Sequence, residues 1–379
     1  MNEKLFWLGW SQVPKVGPAR FAQLLAAFET AGVAWNASEK ELLPVLKPAL
    51  TAQFLDFKKT FSVEEYLEKM QMAKVSFVTL EDHEYSPLLK KIKNPPFVLF
   101  VKGNLDILRV SETNREVSSS RLRSNNTPFI GIVGTRKITD YGRQVTEAIT
   151  RELVDAGCVI VSGLAMGVDA VAHQITIDTG GKTIAVLGCG VDCCYPRENQ
   201  RVYEEILDSG GLIVSEYGIG QQPTVGSFPS RNRIIAGLSH GVLVTEGAAD
   251  SGALITAKDA VSVGRKVFAV PGPVTSSLSQ GTYHLIKQGA VVISSGQEVL
   301  DELGMINQEL GRQNKKQRVK GDTDEEQKII DLLSQENLHV DELIKKTKID
   351  PSKLGTILSL MEMKGMVSSL SAGFFRLNA

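Results

Sequence analysis

Residues 129–304 alternate between short apolar runs and longer amphipathic segments. The apolar runs are rich in valine and isoleucine, and most end in glycine: FIGIVG, CVIVSG, TIAVLG, LIVSEY, GVLVTEG, KVFAVPG and AVVISSG. Uninterrupted apolar runs are typical of strands buried on both faces of a parallel sheet, and segments such as GRQVTEAITRELVDAG predict the covering helices. We therefore predict an α/β fold with an extended Rossmann-like parallel sheet as its core.

The flanking regions show different patterns. Residues 1–65 predict a small helical domain, and an extended Rossmann-fold domain follows over 66–304, with a polar Ser/Asn-rich loop at 111–128. A charged linker is predicted at 305–322. The tail, 323–379, shows three helix patterns and a final β-like segment, MVSSLSAGFFRLN.

The segment VPKVGPARFAQLL near the start of the chain has the form of a helix-hairpin-helix turn. A turn centred on Gly17 directs backbone amides at a helix N-terminus, where a phosphate is readily bound. Modules of the sterile-alpha-motif type use the same turn to bind proteins or only to pack. The pattern predicts the turn and leaves its role open between these two interpretations.

Composition describes a soluble globular protein, with 42% apolar and 22% charged residues. The net charge of −1 argues against a chain that is basic throughout, but a local patch of arginine and lysine is enough to attract a polyanion. We find neither a secretory apolar segment nor a run of about 18 apolar residues. We therefore expect a cytoplasmic protein without a membrane span.

The four cysteines do not form a recognisable metal motif. Three of them lie in CGVDCC, which lacks paired C-x-x-C ligands and has no histidine nearby. Buried, reduced thiols are favoured over a zinc site, and we predict no metal.

Two common nucleotide-binding motifs are absent. The first predicted strand ends in Gly134-Thr135-Arg136, so no G-x-G-x-x-G follows it, and the second ends in Ser162-Gly163 rather than in an acid. GKT precedes a strand and lacks the upstream glycine of a P-loop. We predict no cofactor.

The loops after the predicted strands are instead rich in basic residues. Loops that follow parallel strands meet at one edge of a sheet, where ligands bind. The basic side chains there are Arg136, Lys137, Arg143, Arg197, Arg231 and Arg233, and the interleaved aromatic and amide residues are Tyr141, Tyr195, Asn199 and Phe228. Guanidinium groups bind phosphate and rings stack on bases, so the pattern favours single-stranded nucleic acid. The alternative for each arginine is an ion pair with an acid on the rim.

Catalytic signals are weak. Asp169 and His173 lie four residues apart, but we favour a helix-capping Asp169 and a His173 that bonds a backbone group over a metal or acid–base pair. Glu216 and Glu246 both end strands and could form a hydrolytic pair, or could orient the arginines of FPSRNR. No serine lies in a strand-to-helix G-x-S-x-G elbow. We predict no catalytic residue.

Several segments together resemble one family, the DNA-processing protein A family (DprA, also called Smf). They occur in order over residues 130–300: VGTRKITDYG, VSGLAMGVDAVAH, GKTIAVLGCGVDCCYPREN, FPSRNRIIAGLS, SGALITAKDAVSVGRKVFAVPG and GTYHLIKQGA. The resemblance implies an extended Rossmann fold that binds single-stranded DNA and has no established catalytic activity. It also implies a dimer that protects incoming DNA and loads a RecA-type recombinase during natural transformation and DNA recombination in competent cells.

The resemblance also implies site residues. Arg136 of the G-[ST]-R loop and Arg197 of the YP-[KR] segment are expected to bind phosphate, with Thr135 completing the turn. The further DNA-binding candidates are Lys137, Gly163, Asn199, Arg231, Asn232 and Arg233. The dimer surface is expected at the C-terminal end of the sheet domain, with Ile286 and Val292 as candidates, although ordinary core packing is the alternative for each.

The tail resembles a winged helix, which often ends chains of this family. Asp350-Pro351-Ser352 predicts the start of its third helix, KLGTILSLMEMKGMV. In DNA-binding members of the fold this helix enters the major groove. Here it offers only Lys353 and Lys364, so a protein contact or accessory role is favoured over sequence reading.

Two other functions remain open. A phosphoribohydrolase-type enzyme would also use a glycine-rich sheet edge with carboxylates, but its P-G-G-x-G-T-x-x-E signature is absent and TEGAADSGALIT offers only Glu246. A pure interaction scaffold would bind protein at the same edge.

Overall fold

The computed structural model describes most of the chain as two compact units, Met1–Ile306 and Asn307–Ala379. The described residues are 2–108, 127–305, 321–334, 336–370 and 373–377. The predicted polar loop and the predicted linker therefore lie almost entirely outside the described residues. The domain boundaries predicted from the sequence stay predictions.

A mixed sheet forms the centre of the first unit. Its strands are β1 (Ser76–Thr79), β2 (Val98–Gly103), β3 (Phe129–Val133), β4 (Val159–Ser162), β5 (Lys182–Val186), β6 (Leu212–Ser215), β7 (Gly241–Val244), β8 (Lys266–Ala269) and β9 (Val291–Val292). They lie in the order β1-β2-β6-β5-β4-β3-β7-β8-β9. Strands β3 to β9 pair in parallel, while β2 joins β6 and β1 joins β2 in antiparallel pairs. The predicted parallel sheet is confirmed, and every apolar run named above supplies one of its strands.

Helices cover both faces of this sheet, as the uninterrupted apolar strands require. The helices of the first unit are α1 (Glu3–Gln12), α2 (Pro18–Phe28), α3 (Ala31–Asn36), α4 (Glu39–Thr60), α5 (Val63–Met72), α6 (Pro87–Lys90), α7 (Asp140–Asp155), α8 (Val168–Asp178), α9 (Gln200–Asp208), α10 (Ser227–Leu238), α11 (Ala253–Ser262), α12 (Gln280–Lys287) and α13 (Gly296–Leu303). Ile235 of α10 and Ala257 of α11 pack in the core on one face, and Leu153 of α7 and Val299 of α13 pack in the core on the other. Strand ends and helix starts consequently gather at one edge.

The N-terminal helices share a core with the sheet. The rings of Phe21 and Phe97 stack with their centroids 4.0 Å apart, and those of Trp10 and Phe54 stack at 4.3 Å. The same apolar cluster includes Ile213 of β6. Aromatic side chains bury large areas, so this contact holds α1–α5 firmly on the sheet.

The second unit has its own core. It contains α14 (Asp324–Leu333), β10 (Leu338–His339), α15 (Val340–Thr347), α16 (Pro351–Met363), β11 (Val367–Ser369) and β12 (Phe374–Leu377). The three strands form an antiparallel sheet in the order β10-β12-β11. Asp350 caps α16 and Pro351 is its first residue, as predicted. Within the described ranges, no helix of either unit has the length and apolarity needed to cross a bilayer.

Candidate nucleic-acid interface

The loop after β3 has a fixed backbone and free side chains. The amide of Thr135 donates to the carbonyl of Glu246 at 2.7 Å, and its hydroxyl accepts from the amide of Lys137 at 3.1 Å. The Glu246 carboxylate accepts from the amide and hydroxyl of Thr139 at 3.0 and 2.7 Å. The backbone is thereby held in place while the side chains of Arg136 and Lys137 extend to solvent.

Close packing beneath this loop requires glycine at two positions. Gly167 has φ +80°, and a Cβ there would lie 2.2 Å from the carbonyl oxygen of Thr135. A Cβ at Gly142 would lie 2.3 Å from a carboxylate oxygen of Glu246. These close approaches bring the loop between β4 and α8, and the start of α7, against the loop after β3.

Arg136 is stacked on an aromatic ring rather than paired with an acid. Its guanidinium carbon lies 5.6 Å from the ring centroid of Phe228, within the range of a cation–π contact. Phe228 in turn lies 5.4 Å from the ring of Tyr195, which is 46% exposed. Arg197 is exposed two residues further on. Neither arginine has an ion-pair partner in the part of the chain that the structure describes, so both predicted phosphate ligands are free and their loops are joined by two rings.

A cavity of about 720 Å³, here called the first cleft, brings several of the predicted residues together. The predicted residues that line it are Thr135, Arg136, Lys137, Arg231 and Asn232. Its apolar lining includes Val225, Phe228, Pro229, Ile235 and Ile255. Two carboxylates, Asp169 and Asp250, also line it. The first cleft therefore combines three basic side chains and two acids with apolar surface, which suits a charged chain that carries flat apolar groups.

Sequence reasoning missed part of this apolar surface. Val225 is 92% exposed in the loop before α10, and Ile255 is 42% exposed in α11. An apolar residue within the polar segment QQPTVGSFPSRNR was the available signal for Val225. The sequence around Ile255 predicts an ordinary amphipathic helix and gives no sign that this side chain is exposed.

The buried side chain of Arg231 links the ends of strands β4 and β5. It is only 4% exposed, and its Nη1 donates to the carbonyl of Gly163 at 2.5 Å and to that of Val186. Burial lowers the pKa of Arg231, and Asp169 opposes this effect. A Cβ at Gly163 would lie 2.3 Å from Nη1. Gly163 and Arg231 are therefore together, as the site prediction requires, but both lie beneath the surface.

Arg233, two residues later, lies on the other side of α10. It forms an ion pair with Glu216 and lines a different cavity, of about 990 Å³. Burial raises the pKa of Glu216, and the neighbouring Arg233 opposes that rise. For Arg233 the alternative interpretation, pairing with an acid on the rim, is correct. Because Glu246 holds Thr139, the two glutamates serve different partners and do not act as a pair.

The two predicted amides make backbone contacts. Asn199 is 8% exposed, and its Nδ2 donates to the carbonyl of Leu164 at 2.9 Å. Asn232 reaches the carbonyl of Gly252 with a longer contact of 3.4 Å. Asn199 is thus engaged within the protein, whereas Asn232 lies at the wall of the first cleft.

Asp169 and His173 have structural partners that differ from those expected. The Asp169 carboxylate accepts from the amides of Gly163 and Ala165 at 3.1 and 3.3 Å, so it closes the loop before α8 rather than capping the helix. His173 contacts the Thr183 hydroxyl at 2.7 Å, not a backbone group, and burial lowers the pKa of His173 to about 3. Both expectations from sequence are wrong in detail because the loop and strand β5 approach closely here.

The dimer candidates differ in exposure. Ile286 is half-buried and packs against the sheet core, whereas Val292 is 51% exposed on β9, at the edge of the sheet. Only Val292 therefore offers apolar surface to a partner.

The lysine on α16 and the lysine that follows this helix both pair with acids. Lys353 pairs with Glu325 at 2.5 Å, and Lys364 pairs with Asp322 and Glu326 at 2.7 and 2.8 Å. The exposed apolar side chains of α16 include Leu360 and Met363, at 48% and 86%.

Comparisons with known proteins agree with this architecture. Residues 117–304 match the family described as DNA recombination-mediator protein A, and residues 313–373 match the DprA winged helix domain, which confirms the predicted winged helix. Protein Smf from a Synechocystis species is 41% identical over 307 residues, which cover 80% of this chain and 74% of that protein.

Two solved structures are also similar. DNA processing protein A from Streptococcus pneumoniae has 34% identity and a TM-score of 0.66, covering 80% of this chain and 98% of the other. DNA processing protein A from Helicobacter pylori, whose structure concerns its single-stranded DNA binding mode, has 31% identity and a TM-score of 0.51, covering 61% and 97%. The chain belongs to the DNA recombination-mediator protein A family, the DprA/Smf proteins.

Proposed function

We propose that this protein binds single-stranded DNA at the first cleft, protects incoming strands in the cytoplasm and loads a RecA-type recombinase onto them during natural transformation. The observation that carries the proposal is the stacking of Arg136, which has no ion-pair partner in the described ranges, on Phe228, whose ring also contacts Tyr195. The relative from Helicobacter pylori, with its single-stranded DNA binding mode, supports the ligand class.

The two kinds of side chain have separate roles in this proposal. Arg136, Lys137 and Arg197 bind phosphates, because their charges are exposed and unpaired within the described ranges. Phe228 and Tyr195 offer ring surface on which bases stack. Stacking of this kind needs bases that are splayed out of a helix, so the arrangement favours a single strand over a duplex.

The test is oligo-dT binding, measured by fluorescence anisotropy across a salt series. Arg136→Ala and Arg197→Ala should each weaken binding more than about tenfold and flatten the salt dependence by about 0.7 per lost phosphate contact. Phe228→Ala should cost about 1–3 kcal/mol through lost stacking.

Arg201→Ala is the matched control. Arg201 is an exposed arginine on α9 that pairs with Glu205 at 2.6 Å. Like Arg197 it does not line the first cleft, but Arg197 has no ion-pair partner among the described residues. The control should bind like the parent protein. Parental binding by both Arg136→Ala and Arg197→Ala would contradict the site.

We further propose that the protein acts as a homodimer and without catalysis. The exposed Val292 on the edge strand β9 supports a dimer surface there, so Val292→Asp should shift the mass measured by light scattering from dimer to monomer. Glu216 and Glu246 are each bound to an internal partner, which supports binding over hydrolysis. Release of base or ribose 5-phosphate from a nucleoside monophosphate would instead favour the enzyme alternative.

A further inference from the structure

A second cleft lies between the N-terminal turn and the rim of the sheet. This cavity of about 990 Å³ is the one that Arg233 lines. Its other charged lining residues are Lys15 and Arg20 from the predicted helix-hairpin-helix turn, Lys47 from α4, and Glu216 after β6. No sequence pattern predicted that these segments would meet.

The lining of the second cleft is strongly cationic. Four basic side chains face one carboxylate, and that carboxylate, Glu216, is bound to Arg233. Lys15 and Lys47 are exposed and have no ion-pair partner among the residues described. Nη1 of Arg233 is buried and has no hydrogen-bond partner. In a chain of net charge −1 this local excess creates a positive potential, which a concave surface focuses.

The walls of the second cleft are held together by specific contacts. The amide of Ile219 donates to the Tyr66 hydroxyl at 3.0 Å. A Cβ at Gly218 would lie 2.3 Å from the amide oxygen of Gln12 and 2.5 Å from the Tyr66 hydroxyl. The loop after β6 is therefore clasped by α1 and α5, so the cleft is preformed rather than a gap between loosely joined parts.

The two clefts adjoin each other across α10. Phe228, Arg231 and Asn232 line the first cleft, whereas Ser230 and Arg233 line the second. A helix rises about 1.5 Å per residue, so these side chains lie within two turns of one another on different sides of one helix. A chain that leaves the first cleft over the start of α10 reaches the second without crossing a domain boundary.

We propose that the second cleft continues the DNA path and binds phosphates of the same single strand through Lys15 and Lys47. This proposal rests on the proposed function of the first cleft. The cationic lining favours a polyanion as the ligand. Because α10 lines both clefts, this polyanion should be the strand that we propose for the first cleft.

The experiment compares oligo-dT of about 6 and about 20 nucleotides, lengths that bracket the usual site sizes for single strands. The double variant Lys15→Ala/Lys47→Ala should bind the short oligonucleotide like the parent and the long one about tenfold more weakly. Its salt dependence with the long oligonucleotide should fall by about 1.4, for two lost phosphate contacts. Arg233 is left unchanged because removing it would leave Glu216 buried without its partner.

Lys40→Ala/Lys69→Ala is the matched control. It removes the same charge from exposed positions of the same helical segment, and neither lysine lines a cleft. The control should bind both lengths like the parent. Ultraviolet cross-linking of a long strand that contains 4-thiothymidine should, in the parent, label the peptide that includes residues 15–20.

The outcomes separate this inference from the proposed function. Failure of the parent to bind the short oligonucleotide would contradict the first cleft. Parental binding of both lengths by Lys15→Ala/Lys47→Ala would overturn the second cleft as part of the DNA path. An equal loss at both lengths, or an equal loss in the control, would show a general charge effect and would overturn it as well.

Discussion

The first cleft and helix α16 of the second unit present basic residues in opposite ways. At the first cleft Arg136 lies over an aromatic ring and has no ion-pair partner within the described ranges. At α16, Lys353 and Lys364 are both tied to carboxylates, and the exposed face carries Leu360 and Met363. We infer that the pairing of basic residues matters more than their number for the attraction of a polyanion.

The same rule applies within the first unit. Arg136, Arg231 and Arg233 lie on the same sheet edge, but one is free, one is a buried brace and one is paired with Glu216. Only the free arginine can give its full charge to a ligand. Variants of these arginines test this distinction.

Replacing the buried arginine should damage the fold, whereas replacing the free one should not. Arg231→Ala removes the donor to two carbonyls and leaves Asp169 without its positive neighbour, so the free energy of unfolding should fall by about 3–5 kcal/mol. Arg136→Ala should change it by less than about 0.5 kcal/mol. Urea unfolding followed by tryptophan fluorescence measures this, because Trp7, Trp10 and Trp35 all lie in the first unit. Equal losses in both variants would contradict the distinction.

Acid should destabilise the scaffold beneath the clefts. Burial lowers the pKa of His173 to about 3 and that of His240 to about 4, below the ordinary value near 6.5. Between these values the unfolded chain binds more protons than the folded one, so stability is fully present above pH 6.5 and falls as the pH drops. The slope should approach about 1.4 kcal/mol per pH unit for each histidine.

His173→Gln provides the control for this pH dependence. Glutamine does not titrate in this range, so the variant should lose stability less steeply between about pH 6 and pH 4 than the parent does. Urea unfolding at a series of pH values measures both slopes. Identical slopes would show that His173 does not cause the acid sensitivity.

Neutralised lysines should contribute little to DNA binding. Lys353→Ala and Lys364→Ala should each leave oligo-dT affinity within about twofold. The carboxylate beside each lysine offsets much of the attraction between its ammonium group and a phosphate. Glu325→Gln frees Lys353 and should raise the affinity slightly, by less than about threefold. Anisotropy titrations beside Arg136→Ala provide the scale. A loss for Lys353→Ala as large as that for Arg136→Ala would refute the comparison.

The sequence predicts the sheet well because its signal is local. Each parallel strand is a continuous apolar run, and the loops that follow parallel strands must meet at one edge. The structure places the basic loops at the predicted edge, with Arg136 and Arg197 exposed, and their role as phosphate ligands stays a prediction. The third helix of the winged helix was also marked locally, by Asp350-Pro351.

The partners of each side chain were not predictable in the same way. Arg231 and Arg233 are two residues apart, which is about 200° around a helix, so they face different surroundings that only the assembled fold defines. The second cleft depends on Lys15, Lys47 and Glu216, which come from three distant segments. Residues 66–110 gave apolar segments, but their antiparallel addition beside β6 depends on pairing over more than 100 residues.

The stacked rings of Phe21 and Phe97 have a consequence for how the protein can be divided. Because the two rings belong to one core with Ile213, a fragment that begins after the first 65 residues would expose an apolar surface beside β6. Such a fragment would tend to aggregate. The helical N-terminus is therefore a fitted cover of the sheet and not an appendage that can be removed freely.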